Sequence, residues 1–210
     1  MMFHSLEAQS KLVFTSEFQV YGGASVPVGN FGSTTEDNAA YAISGYAFGA
    51  DLMMVSDKNL AVVGSINYSR NPINGAAMLS SNGWPPDYGM DDRSYSSTYM
   101  LLGARWNIPV PGPVRPFIMG QGGIAFDVHP GYVLSDKVES FVYSSSTTSS
   151  LALSLSAGAR VFDSYDLSVR YQQSDPEFES DVSYTWFNGR IIATGEFPFS
   201  TVLVVIGYAF

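Results

Sequence analysis

From Val202 to Phe210 the chain reads VLVVIGYAF, which places Val202, Val204, Ile206, Tyr208 and Phe210 on one side of an extended strand and Leu203, Val205, Gly207 and Ala209 on the other. Successive side chains of a strand point to opposite faces, so a period of two is a strand signal. The same period recurs along the whole chain, and no stretch keeps the 3.6-residue period of an amphipathic helix. Alternating segments run at about Glu17–Val26, Tyr41–Val55, Leu60–Arg70, Tyr95–Ile108, Pro116–Val128, Thr148–Phe162, Leu167–Ser174 and Glu196–Phe210. These eight strands predict an all-β chain.

The connections alternate in length. Ser56–Asn59, the Pro-rich Pro109–Arg115 and Asp163–Asp166 are tight turns built from turn-forming residues. Pro27–Ala40, Asn71–Ser94, His129–Thr147 and Asp175–Gly195 are long. Strict alternation of short and long connections predicts an antiparallel up-and-down barrel with turns at one end and loops at the other. A soluble lipocalin-like barrel shares that outline but turns its large apolar residues inward, so the contents of the two faces discriminate.

In the sixth strand Leu151, Leu153, Leu155, Ala157, Ala159 and Val161 oppose Ala152, Ser154, Ser156, Gly158 and Arg160. In the seventh, Leu167, Val169 and Tyr171 oppose Ser168, Arg170 and Gln172. Counting from the turns places Arg105, Arg160 and Arg170 at similar depth, with Asp51 and Glu17 at roughly the same level and Gln19 beside them. A charge facing hydrocarbon at the midplane costs ~2 to 4 kcal/mol, so the five ionisable residues are expected to point inward and pair. Eight strands enclose a lumen only as wide as its side chains, which predicts a plugged barrel.

Composition narrows the classes further. With 14% charged residues and 46% hydrophobic ones the chain is too apolar for disorder. A run of about 18 apolar residues, the minimum for a membrane-spanning helix, is missing, so any crossing has to be made by a closed barrel. The net charge of -9, without a basic patch, argues against nucleic acid. Cysteine is absent, which removes disulfides and thiolate metal sites; no cofactor and no metal site are expected. The opening MMFHSLEAQSKLVF lacks the basic and long apolar regions of an export signal, and residues 1–16 are read as a periplasmic tail before a barrel of residues 17–210.

Asn188-Gly189 suits a type I′ turn. Pairing continued around it sets Leu167 opposite Phe210, Val169 opposite Tyr208 and Tyr171 opposite Ile206, with Asp175-Pro176 expected to bulge where the hairpin outgrows the membrane. The projecting part carries Tyr184 and Trp186, a candidate extracellular contact patch. Acidic residues at Asp87, Asp91, Asp92 and from Asp175 to Asp181 read as a solvated surface, with bridging of lipopolysaccharide through divalent ions as the sharper alternative. His129 with Asp127 and Ser135 permits a Ser-His-Asp arrangement on paper, but proximity in sequence is not triad geometry, and no enzyme is expected.

Together these features resemble the small outer-membrane β-barrel domain family, the OmpA-like and OmpX-like eight-stranded barrels. The likeness lies in the Arg115-Pro116-Phe117 strand opening with its later glycines, the polar turns at Asp57 and Asp163, the strand Leu167–Tyr171 and the Gly207-Tyr208-Ala209-Phe210 ending. The pair Tyr208 and Phe210 resembles the signal read by the barrel-insertion machinery, although Val205 and Leu203 replace the usual glycine and polar residue. The resemblance implies the outer membrane of a diderm bacterium, extracellular loops, periplasmic termini, and contact with outer-membrane lipids and lipopolysaccharide. Family members serve as structural proteins, adhesins, small-molecule channels and lipid A enzymes. The preferred reading is a structural or protein-interaction barrel, a candidate subunit of an outer-membrane complex. The alternative is an OmpW-like channel for small hydrophobic molecules, favoured if Tyr41, Ile43 and Tyr99 line an apolar cavity; a lipid A-modifying enzyme comes third.

Overall fold

The computed structural model describes residues 14–35, 39–56, 59–91, 93–136, 140–184, 187–196 and 198–210. Its strands are β1 (Phe14–Pro27), β2 (Gly45–Ser56), β3 (Leu60–Pro72), β4 (Gly89–Met90), β5 (Ser94–Asn107), β6 (Val114–His129), β7 (Tyr132–Ser135), β8 (Ser140–Tyr143), β9 (Ser146–Val161), β10 (Tyr165–Ser174), β11 (Glu177–Tyr184), β12 (Phe187–Glu196) and β13 (Phe199–Ala209). A short helix α1 (Gly75–Ser81) and a 3-10 turn at Gly29–Phe31 lie in the long connections.

Eight of these strands close into an antiparallel barrel in the order β1-β13-β10-β9-β6-β5-β3-β2. Following direct partners around the ring from Glu17, through Met53, Val63, Gly103, Gln121, Ser154, Gln172 and Thr201, returns to β1 at Pro27, a stagger of ten residues. Such a stagger requires steeply tilted strands, and strand number and stagger together leave a lumen that side chains fill. The tight curvature shows at Gly103 and Gly123, whose missing side chains face inward where an added Cβ would collide with the carbonyl oxygens of Gly120 and Met100.

The faces divide as the alternation predicts. On β9, Leu151, Leu153 and Leu155 are 85%, 67% and 65% exposed, while Ser154 between them is 1% exposed. A water-soluble barrel has the opposite arrangement. The outer wall is apolar and the inside polar.

At the turn end, Phe162 and Asp163 both adopt positive φ, 51° and 61°, the left-handed pair that a tight hairpin requires. Asn188-Gly189 does not form such a turn: both residues lie within β12, and β11 and β12 close between Tyr184 and Phe187. The register moves accordingly. Leu167 faces Ile206, Val169 faces Val204 and Tyr171 faces Val202, each four residues from the expected partner. An even shift leaves every side chain on the face it was assigned, so the inside-outside pattern survives the error.

Asp175-Pro176 interrupts the ladder without a bulge. Ser174 faces Phe199 on one side of the break and Glu177 faces Glu196 on the other, in one continuous register. The second barrel strand starts at Gly45 rather than Tyr41, because Tyr41 sits at positive φ and only Ala42 bridges, to Ile73. The long connections add what the alternation does not reveal: a five-stranded sheet in the order β12-β11-β8-β7-β4 beyond the loop end of the barrel.

Because the chain has no cysteine, paired cysteines report the register directly. Val169→Cys with Val204→Cys is expected to oxidise to a disulfide, and Val169→Cys with Tyr208→Cys to remain reduced, on non-reducing gels.

Candidate functional site

The lumen is crossed by two layers of ion pairs. Nearer the turns, Asp166 on β10 accepts from Arg105 Nη1 on β5 at 2.5 Å and from Arg160 Nε on β9 at 2.8 Å. Arg160 Nη1 also donates to Glu17 Oε2 on β1 at 2.5 Å. The Arg105 guanidinium lies 3.6 Å over the Phe117 ring, and its Nε donates to Asn107 Oδ1. One carboxylate thus holds two arginines that would otherwise repel.

The next layer centres on Asp51 of β2, which accepts both terminal nitrogens of Arg170 from β10, at 2.8 and 3.3 Å. Ser65 Oγ donates to the same carboxylate at 2.7 Å and accepts from Gln121 Nε2 at 2.6 Å. Arg170 stacks 3.9 Å above the Tyr21 ring. A two-pronged guanidinium matches a carboxylate in shape as well as charge, which fixes the spacing of the two walls. β2 and β10 are separated by β1 and β13, and β5 and β10 by β6 and β9. These bonds therefore reach nearly across a ring of eight.

Farther toward the loops, Asn67, Ser154 and Gln172 are buried, with side-chain polar atoms that have no hydrogen-bond partner among the described residues. Buried groups of this kind are where interior water binds. Above them Asp127 Oδ2 accepts from Ser174 Oγ at 2.8 Å and Ser150 Oγ at 3.4 Å.

An aromatic plug follows. Phe31 stacks on Phe199 at 4.4 Å between ring centroids and meets Tyr95 edge-on at 5.3 Å; Phe178 packs at 5.7 Å from Phe199. His129, above the apolar belt, lies 5.5 Å from both Tyr95 and Phe178. Burial there pulls its pKa down to about 4, so the imidazole is neutral at pH 7.

All five residues expected inside, Glu17, Asp51, Arg105, Arg160 and Arg170, are in these layers, but they form two groups at different depths rather than one cluster. The missed member is Asp166. Sequence reasoning assigned it to the turn after Asp163, whereas the strand begins at Tyr165 and turns Asp166 inward, 1% exposed. Its spacing of two residues from Ser168 and four from Arg170 was the available signal.

Tyr208 and Phe210 face outward; Phe210 stacks on Phe18 at 6.3 Å, and Tyr208 meets Tyr165 edge-on at 5.3 Å. Trp186 lies outside the described residues, and Tyr184 ends β11. The triad drawn from sequence does not assemble: Asp127 accepts from serines in the lumen, His129 sits in the plug and Ser135 pairs with Gly89 and Ser140 in the loop-end sheet. Tyr41, Ile43 and Tyr99 go to different places. Tyr41 accepts from Ser81 of α1, Ile43 is exposed, and Tyr99 is buried beside Ser174.

No protein-family model matches the sequence, and no curated protein matches it. Among solved structures the chain is similar to the attachment invasion locus protein Ail of Yersinia pestis, at 14% identity and a TM-score of 0.48, covering 93% of this chain and 97% of that one. It is similar also to the outer membrane protein OprG of Pseudomonas aeruginosa, at 13% identity and 0.47, over 94% and 97% of the two chains. The outer membrane protein AlkL, solved in lipid bilayers, matches at 12% identity and 0.46, over 100% and 97%. The closed barrel itself is read from this chain's own strand order and register.

Asp166→Asn is expected to cost about 3 to 5 kcal/mol, because it leaves two buried arginines without their shared acid. Glu17→Gln, at the partly exposed rim of the network, costs about 1 kcal/mol or less. Urea midpoints of the detergent-folded barrel measure both. For His129 the lowered folded pKa favours the neutral ring, so its stabilising share is full above pH 6.5 and is lost as the pH falls toward 4. The melting temperature of the parent chain minus that of His129→Phe should fall over that window.

Proposed function

We propose that this chain is a plugged outer-membrane barrel that anchors a protruding β-sheet and acts by presenting it to a partner, not by conducting solutes. The observation that carries the reading is a lumen crossed at two levels by arginine-carboxylate pairs inside an apolar outer wall. A closed barrel leaves no unpaired strand edge in hydrocarbon, and an apolar exterior over polar contents suits a bilayer. Both described ends, Phe14 and Phe210, lie at the turn end. On this reading the turns and termini are periplasmic and the loops extracellular. Tyr208 and Phe210 then serve as the mark read by the insertion machinery, and lipids with lipopolysaccharide surround the wall.

The plug adds support. Phe178 of β11 packs with Phe31 from the first long connection and with Tyr95 and Phe199 of the barrel wall, so these residues join one strand of the outer sheet to the stopper. Their side chains tie the sheet to the wall, which suits a rigid platform for binding at the cell surface.

The channel reading keeps one observation. A groove on the outer wall, lined by Val20, Phe48, Ile66 and Tyr68, reaches Tyr21 and Asn67, which belong to the lumen. A small apolar molecule entering sideways would use such a groove.

Planar-bilayer recording of the purified chain separates the two. A flat baseline without stepwise currents, together with no uptake of small apolar compounds into proteoliposomes, is expected. Stepwise currents or protein-dependent uptake would displace the platform reading in favour of the channel.

A further inference from the structure

The described charges of the lumen do not balance. Arg105, Arg160 and Arg170 are engaged by Asp166, Glu17 and Asp51. Asp127 is the remaining acid. Its residue is fully buried, and its contacts are hydroxyls alone: Ser174 Oγ at 2.8 Å and Ser150 Oγ at 3.4 Å on Oδ2, with Ser97 directly opposite on β5. Tyr99 Oη lies 3.4 Å from the same Ser174 oxygen. Oδ1 has no hydrogen-bond partner among the described residues. His129, two residues along the strand, sits among the rings of the plug, 5.5 Å from both Tyr95 and Phe178.

A buried carboxylate without a cation carries a desolvation penalty that hydroxyl donors only partly offset. We propose that Asp127, with the hydroxyls of Ser97, Ser150 and Ser174, binds a monovalent alkali cation beneath the aromatic plug. The donors are all hard oxygens, the type such ions take. One carboxylate among neutral ligands cancels a single positive charge, whereas calcium sites use several acidic ligands. The cation would restore neutrality to the lumen and brace the end of β10, where Ser174 precedes the break at Asp175-Pro176.

The test is thermal unfolding of the detergent-solubilised full chain in sodium, potassium or choline chloride at one ionic strength, alongside sodium-23 NMR of the parent chain. Sodium or potassium should raise the melting temperature by about 3 °C over choline. Asp127→Asn should melt alike in all three salts, and Ser174→Ala, which keeps the carboxylate, should respond only to higher cation concentrations. Protein-dependent broadening of the sodium signal, relieved by excess potassium, supports the site even if Asp127→Asn does not fold. Equal melting in sodium, potassium and choline with no broadening would overturn it. So would a melting temperature that follows pH but not cation identity, which would mark a protonated acid, or an undiminished cation response in Asp127→Asn.

Discussion

Closing eight strands with a stagger of ten leaves a lumen too narrow for anything but side chains, and what those side chains are decides the rest of the molecule. Charged groups there find counterparts among the inward side chains: Asp166 reaches Arg105 across two intervening strands and Arg160 on the adjacent one, and Asp51 reaches Arg170 across two. With the charged and polar side chains turned inside, the outer positions are free to be apolar. Breaking the pairs would leave charges in a low-dielectric space with nowhere to turn.

The loop end solves a different problem. There the strands outrun the apolar belt, and the lumen is closed by packed aromatic rings rather than by charge: Phe31, Tyr95, Phe178 and Phe199. Because Phe178 belongs to β11 of the protruding sheet and packs among the rings of the stopper, the two are joined through that strand. The continuous register across Asp175-Pro176 has the same consequence, since β11 and β12 prolong β10 and β13 without slipping.

What the sequence made legible was parity. Leu151, Leu153 and Leu155 against Ser154 and Ser156 fix inside and outside whatever the register, which is why a hairpin misplaced by four residues left the face assignment correct. What it hid was set by long-range pairing. Asn188-Gly189 has strong turn chemistry, but the barrel register carries up the hairpin as far as Ser183 opposite Arg190, shifts there, and closes between Tyr184 and Phe187 instead. Asp166 looked like a turn residue because it follows the polar turn at Asp163; its spacing from Ser168 and Arg170 marks the inward face, and its partners, 61 and 6 residues away, fix its place. The strands within the long connections are too short, four residues in β7 and in β8, to show a period.

The central claim is that the wall is turned inside out, with the apolar face outward in lipid and the polar face locked inside. Single cysteines from Leu151 to Arg160, spin-labelled and measured in bilayers for collision with oxygen and with a water-soluble nickel chelate, test it most directly. A period-two pattern, with the odd positions Leu151, Leu153 and Leu155 open to oxygen and closed to nickel, and Ser154 and Ser156 closed to both, is the predicted result. Odd positions open to nickel, or no alternation along the strand, would contradict it.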